Sequence, residues 1–484
     1  MTSTLIILTF VIFVMVFLWI GALASRASVN TDADYLLGNR SFGSLFIGLS
    51  TGTTANSGWI MIGSVGLAYT TGISSLLLVP PCLLGDWAFW HFFPDKINQY
   101  SLDNNAQTVP ELLGSAVSKK TGKRLISLLV ALITIIFIGA YTAGQFSAAA
   151  KTLDVFFGVD TGVGVAIAAT SILIYCVTGG LRASIWTDVV QACIVVAVCF
   201  GMLIVAVIAG GGPINIWHNL AAIDPNLVSL TAGYTPLTLA GMCAGFFGLG
   251  FALNLSQPQS LVRLLACRSP KETRQARWAY LVFAYLTWTL TLLFGVICRV
   301  LIPGLADPEQ ALPFYAMQNF SPVMVGIVLA GIFSIIASTA DSQLLVCAIA
   351  VAREISPGFH QKMVRKYGMR YEQSVTLIVG ILVALAASNL TANVFDIVLF
   401  ASGAVSSSFG PAMFMIVLKQ RTNAIAISST IMAGLTTAIA WRVLGYSGIL
   451  YEVFPGFLMG LLVHTILMRF AFPNKQSHPS RSSS

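Results

Sequence analysis

Charge is what this chain has least of. Asp, Glu, Lys and Arg make up 9% of its 484 residues, against roughly a quarter in a soluble domain. Hydrophobic residues make up 56%, and the mean hydropathy is +0.84. Such a balance excludes an ordinary soluble enzyme and leaves a polytopic membrane protein. The formal charge of +8 therefore points to cytoplasmic loops, where Lys and Arg collect, and not to nucleic acid. Histidine is scarce: His91, His218, His360, His464 and His478 form no spaced pair, which removes zinc chemistry. The eight cysteines contain no C-x-x-C and fall mostly inside apolar runs. That excludes a disulfide framework or a metal cluster and leaves them as small hydrophobes. With no nucleophile–base pair visible either, an enzyme is the least favoured reading and the function must lie within the bundle.

Polar stretches long enough for a soluble domain are also missing. The longest connections, near 94–124, 211–233 and 257–277, have the length of loops or short amphipathic helices. Apolar runs of about 20 residues, the length of one bilayer crossing, fall near 4–24, 42–69, 74–93, 125–149, 161–178, 185–210, 234–256, 278–302, 319–350, 373–388, 393–418, 424–443 and 450–471. The expectation is an all-α protein of about thirteen transmembrane helices. Residues 1–472 would form one transporter domain, and 473–484 a polar disordered tail. No basic stretch precedes the first run, so it reads as a retained helix and not a cleaved signal. With this count, 23 of the 26 basic residues fall on one side; Lys151, Arg299 and Arg442 are the exceptions. The positive-inside rule then puts the N-terminus outside and the C-terminus in the cytoplasm, in a bacterial inner membrane.

Three stretches are too polar for lipid-facing helices. "STGTTANSGWIMIG" (50–63) carries Ser50, Thr51, Thr53, Thr54, Asn56 and Ser57 with Gly52 and Gly58. Unwound backbone survives in a membrane only where it lines a buried cavity, so this span reads as an interrupted helix. Five spans later, "GMCAGFFGLGFALNLSQPQ" (241–259) is its positional counterpart, which divides the chain into two five-helix units, 42–210 and 234–418. In the ninth span Ser334, Ser338 and Asp341 share one helix face by their i, i+4, i+7 spacing, with Thr339 and Ser342 beside them. A carboxylate among hydroxyls is an oxygen set suited to a hard cation. The third stretch, "TGGLRASIWTDVVQ" (178–191), breaks at Gly179 and Gly180; its Asp188 reads equally as an interfacial cap and as a functional carboxylate.

Together with "DYLLGNRSFG" (34–43), "NSGW" (56–59), "QPQSLVRLL" (257–265), "STADSQLLV" (338–346) and "LYEVFPGFLMG" (450–460), these stretches resemble the solute:sodium symporter family, most of all its sodium/proline symporters. The resemblance implies a LeuT-type 5+5 inverted repeat with one leading and two trailing helices. It implies a sodium site formed by Thr53, Asn56, Ser338 and Thr339. Ser57, Gly58 and Trp59 match residues beside the substrate, and Tyr141 matches an aromatic packed on it. Asp188, Asp341 and Ser342 match an additional cation site, and Arg40 a functionally sensitive position. Ala55 departs from the pattern, since the proline symporters carry an aspartate there; Asp341 would carry that charge on another helix.

The reading is a sodium-coupled importer of proline or a similar small amino acid. Asn56 and Ser57 would receive the solute carboxylate, while Trp59, Tyr141 and Phe247 cover its apolar part. Other small solutes (a carboxylate, a pantothenate-like compound) and proton coupling through Asp188 and Asp341 are the alternatives, with a solute sensor behind them. Sodium, the solute and the bilayer are the expected partners.

Overall fold

The computed structural model describes residues 2–26, 32–390 and 393–471. The tail expected at 473–484 lies outside the described residues. Among the described residues the chain is helical throughout, with one isolated backbone bridge between Phe42 and Cys267. Eleven helices are long and apolar enough to cross a membrane. One of them, Ser44–Phe92, has 49 residues, about twice what a bilayer needs at 1.5 Å per residue. It is two crossings, turned at Gly72, where φ is +66° and ψ −146°. The shorter apolar helix Thr161–Ile174 completes thirteen spans.

Local chemistry sets the span boundaries. The fourth span, Lys120–Phe157, stops at Gly158 in the left-handed conformation, and Asp160 caps the fifth by accepting from the Gly162 and Val163 amides at 2.9 and 3.1 Å. A short turn thus joins antiparallel neighbours. The fifth and sixth spans belong to one 49-residue helix, Thr161–Ala209, interrupted at Gly180 with φ +55° and ψ −163°. The seventh span, Pro236–Ser256, opens on a Thr235–Thr238 capping box with Pro at its first turn, and a short helix, Pro258–Ala266, follows it.

Burial orders the spans. Among their most apolar windows, 83% of the ninth (Pro322–Glu354) and eleventh (Val394–Val417) and 78% of the eighth (Pro270–Leu301) is buried. The first (Thr4–Ala24) and tenth (Met369–Ala387) reach only 22% and the last (Val453–Ala471) 28%. The polar second and ninth spans therefore sit inside, shielded by apolar outer helices.

The glycines of the seventh span correct one expectation. Gly245, Gly248 and Gly250 lie in unbroken helix, and the interruption falls at Gln257, where ψ swings to 116°. Those glycines serve packing. A Cβ on Gly250 would lie 2.1 Å from the Cys82 carbonyl, and one on Gly85 of the third span 2.1 Å from the Phe247 carbonyl. Backbones approach this closely only where side chains are absent. Gly250→Val is expected to lower the melting temperature of the detergent-purified protein by the equivalent of about 1–3 kcal/mol of overpacking. Gly21→Ala, whose added Cβ meets nothing within 4 Å, is the control and should leave it unchanged or raised.

Candidate functional site

The second span breaks at Ser57, whose φ of +48° and ψ of −175° lie outside the helical region, and a π-helical turn, Trp59–Gly63, follows. A residue other than glycine held at positive φ costs of order 1–3 kcal/mol and persists only where its surroundings enforce it. Here other helices take up the freed polar groups. The Gly58 amide donates to Gln145 Oε1 of the fourth span at 2.7 Å. The Thr54 carbonyl accepts from Thr339 Oγ1 of the ninth at 3.0 Å. Tyr141 Oη donates to Ser57 Oγ at 3.1 Å. Asn56 Nδ2 donates to Thr287 Oγ1 at 2.5 Å and to the Ala284 carbonyl at 3.3 Å, both on the eighth span.

Thr53, Asn56, Ser338 and Thr339 are all buried, and the Thr339–Thr54 bond joins the second and ninth spans at the interruption. The buried hydroxyl of Thr54 has no hydrogen-bond partner among the described residues, and that of Ser338 faces the Asp188 carboxylate without a bond of normal length. A polar atom left so is costly in an apolar interior, and a hard cation is a partner that oxygen donors of this kind can take. The Asn56 amide nitrogen is committed to the eighth span and anchors the break, leaving its backbone carbonyl out of that bond.

Beside the break lies a closed-in cavity. Ala55, Asn56, Trp59 and Ile60 line it from the second span, Cys82 and Asp86 from the third, and Tyr141 from the fourth. Leu249 and Leu253 close it from the seventh, Tyr280, Ala284, Tyr285 and Trp288 from the eighth, and Val398, Leu399 and Ser402 from the eleventh. The Trp59 ring meets Trp288 edge-on at 5.3 Å and Phe395 at 5.6 Å, and Trp288 Nε1 donates to Ser64 Oγ at 3.2 Å. Trp59 and Tyr141 thus lie on the cavity wall, with Ser57 and Gly58 immediately behind it. Phe247 does not: it is 39% exposed and stacks on Phe251. The helical phase of the seventh span turns Leu249 and Leu253 inward in its place, and the aromatic surface comes from Tyr285 and Trp288 instead. Asp86 is not among the residues the polar stretches single out, although one charge within "LLGDWAFW" is the ordinary mark of an intramembrane functional residue.

Asp188, Asp341 and Ser342 come together, but around an arginine. Arg263, in the helix after the seventh span, is fully buried, whereas its position in the sequence groups it with the loop cations. Its Nη2 lies 2.8 Å from Asp188 Oδ2, 2.6 Å from Ser342 Oγ and 3.1 Å from Ser184 Oγ, and its Nε donates to Ser50 Oγ at 2.6 Å. Ser50 Oγ in turn donates to Asp188 Oδ2 at 2.5 Å. Asp341 accepts from Ser342 at 2.7 Å and Ser184 at 3.2 Å. Asp188 is therefore no interfacial cap. The second and sixth spans, the ninth span and the Pro258–Ala266 helix are tied by one network in which a guanidinium stands where an additional cation was expected. Asp188 Oδ1 has no bond of normal length and has the Ser338 hydroxyl beside the carboxylate. Asp341 does not line the cavity next to Ala55; the carboxylate there is Asp86. Arg40 neither lines the cavity nor joins the Asp188–Arg263 network. It bonds the Leu265 and Ala106 carbonyls at 2.7 and 2.8 Å and Ser101 Oγ at 2.8 Å, clamping the chain before the second span to the end of the Arg263 helix.

Residues 35–434 match the family model described as "Sodium:solute symporter family". The osmoregulated proline transporter OpuE of Bacillus subtilis is 27% identical over 470 residues, covering 96% of this chain and 94% of that one. A sodium/proline symporter of Escherichia coli is 27% identical over 476 residues, with 95% and 91% covered. A substrate-bound, outward-open Na+-coupled sialic acid symporter superposes with a TM-score of 0.79 at 18% identity, covering 96% of this chain and 97% of that one; the likeness is one of fold.

The buried ion pair has a measurable consequence. Asp188→Asn strands the Arg263 guanidinium, and breaking a buried pair from one side costs about 3–5 kcal/mol. The expected result is a marked fall in melting temperature, partly recovered in the Asp188→Asn/Arg263→Gln double variant. Strictly additive losses in a double-mutant cycle would mean that the two groups do not act as a pair.

Proposed function

The chain belongs to the sodium:solute symporter family, and we propose that the solute it imports is proline or a similar small amino acid, held in the cavity beside Ser57. It is a sodium-coupled symporter, with sodium as the coupling ion; the residues that bind ion and solute are our reading. Its main support is the interruption at Ser57, which sets freed backbone against the ninth span on one side and an aromatic cavity on the other. Sodium would bind between the second and ninth spans, through the Thr53 and Asn56 carbonyls and the hydroxyls of Ser338 and Thr339. The solute carboxylate would meet Ser57 and the N-terminal end of the helix resuming after it, which carries partial positive charge. Trp59, Tyr141, Tyr285 and Trp288 would cover the apolar part.

Because both ligands engage the same broken span, each would favour the other's binding by an equal factor, as linkage requires. One charge moving down 100 mV supplies about 2.3 kcal/mol. The solute would enter from the side that holds the N-terminus, placed outside by the distribution of basic residues. Lys151 and Arg442, assigned to that outer side, are each paired with acids, Lys151 with Asp307 and Glu309 and Arg442 with Glu452. Removing Arg263 from the loop cations leaves the split lopsided. The fixed cation at Asp188 weighs against a proton relay through that residue.

Labelled proline should accumulate in proteoliposomes under an inward sodium gradient and not when potassium replaces sodium; equal uptake under both would overturn sodium coupling of proline. Ser338→Ala and Thr339→Val should each raise the sodium concentration for half-maximal uptake about tenfold or more, the loss expected for a hydroxyl ligand of an ion. Ser171→Ala, an exposed hydroxyl bonded to the Ile167 carbonyl, should leave it unchanged.

A further inference from the structure

Asp86 sits on the cavity wall in the third span and is 3% exposed. Its Oδ1 accepts from Asn254 Nδ2 at 2.9 Å, and its Oδ2 from Tyr280 Oη at 3.0 Å and Tyr285 Oη at 2.8 Å. These three neutral donors come from two other helices and aim at one carboxylate. A carboxylate offers about four lone-pair positions, so the set leaves room for one more donor. No Lys or Arg lines the cavity, and among the described residues no cation lies within ion-pair distance of Asp86. Other buried carboxylates have a counter-ion, Asp188 in Arg263, Asp34 in Arg182 and Glu452 in Arg442. A buried carboxylate without a counter-ion is costly, and a protein keeps one where a ligand brings the missing charge.

The neighbouring surface narrows that ligand. Trp59, Trp288, Tyr141 and Tyr285 supply aromatic faces around the same cavity, and an aromatic face attracts a cation, the more so where water is excluded. Ala55, also in the lining, adds bulk no larger than a methyl. Taking the cavity as the solute site, the reading on which this inference rests, we propose that Asp86 binds a positively charged nitrogen of the transported solute. The solute then belongs to the amines, protonated or quaternary, including zwitterionic amino acids. Simple anionic carboxylates are excluded, because they would place a second negative charge beside Asp86. Tyr280, Tyr285 and Asn254 are positioning residues that hold the carboxylate aimed into the cavity.

The test is the thermal stability of the purified full chain in sodium and in potassium. The probes are proline, N-methylproline, glycine betaine and cyclopentanecarboxylate, the last keeping ring and carboxylate but lacking nitrogen. Sodium-dependent stabilisation is expected from one or more of the nitrogen compounds and not from cyclopentanecarboxylate. Asp86→Asn, which preserves shape and can still accept from the tyrosines, should weaken the effective amine by about ten- to hundredfold, the loss of a charge-assisted hydrogen bond. Its half-saturating sodium concentration, measured without solute, should stay unchanged. Asp86→Glu should retain part of the amine affinity, which a merely structural role would not produce. Stabilisation by betaine but not proline would remove proline as the solute and keep this proposal. Stabilisation by cyclopentanecarboxylate equal to that by proline, or unaltered amine affinity in Asp86→Asn, would overturn it while leaving sodium coupling in place. A change confined to sodium affinity would also overturn it, marking Asp86 as an ion ligand. No stabilisation by any probe would overturn both readings.

Discussion

Backbone that leaves a helix inside an apolar bundle must find a partner for every N–H and C=O it frees, and most of this molecule's interior is arranged around one such place. At Ser57 the second span gives up its helical conformation, and groups from the fourth, eighth and ninth spans close in to satisfy what is left. That demand explains why the polar residues of several helices converge at one level of the bundle. It also explains why the second and ninth spans are central and the first and tenth peripheral. Among the oxygens left without a normal hydrogen bond, Thr54 Oγ1 and Ser338 Oγ adjoin the break.

A second constraint is electrostatic. The bundle buries Asp86, Asp188 and Asp341 together with Arg263, and it treats them differently. Asp188 and Arg263 form a pair at 2.8 Å, extended by Ser50, Ser184 and Ser342 to Asp341. This network ties the broken second span to the sixth and ninth spans through groups that would each be costly if separated. Because Arg263 sits on the short helix whose C-terminal end Arg40 clamps at the Leu265 carbonyl, a shift of that helix would strain the ion pair and the clamp together. The network thus couples the position of one small helix to the register of the spans around the break.

How far the sequence discloses this depends on what each residue type can mean in lipid. Six hydroxyl or amide side chains within eight positions admit few uses in a membrane, so the interruption in the second span is legible without a structure. Glycine admits two, and Gly250 and Gly245 turn out to serve close packing, against the third span and against Tyr451 before the last span, while the chain breaks at Gln257. Arg263 is misread because a basic residue just past an apolar run looks like a loop residue; only the folded chain shows Asp188 beside it. Phe247 and Leu249 differ by two positions on one helix, and no pattern in that apolar span says which of them faces inward. Asp86 was visible in principle as a lone charge in an apolar run, and was hidden only by the richer polar stretches on either side.

The placement of the three carboxylates separates two tasks. Asp188, with Asp341 attached through serine hydroxyls, is held by a permanent internal cation, so its charge serves to fix helices in position. Asp86 is held by neutral donors alone, which orient the carboxylate and spread its charge without cancelling it. Neutral donors suit a group that must meet a ligand and then release it, since a fixed cation would have to be displaced at every cycle. The same logic applies at the break, where the sodium ligands proposed are carbonyls and hydroxyls and not carboxylates. Modest partial charges let an ion enter and leave, whereas full charges would hold it. A bundle that moves its cargo through its own centre keeps its strong pairs for holding the helices together and its weaker, orientable groups for what passes between them.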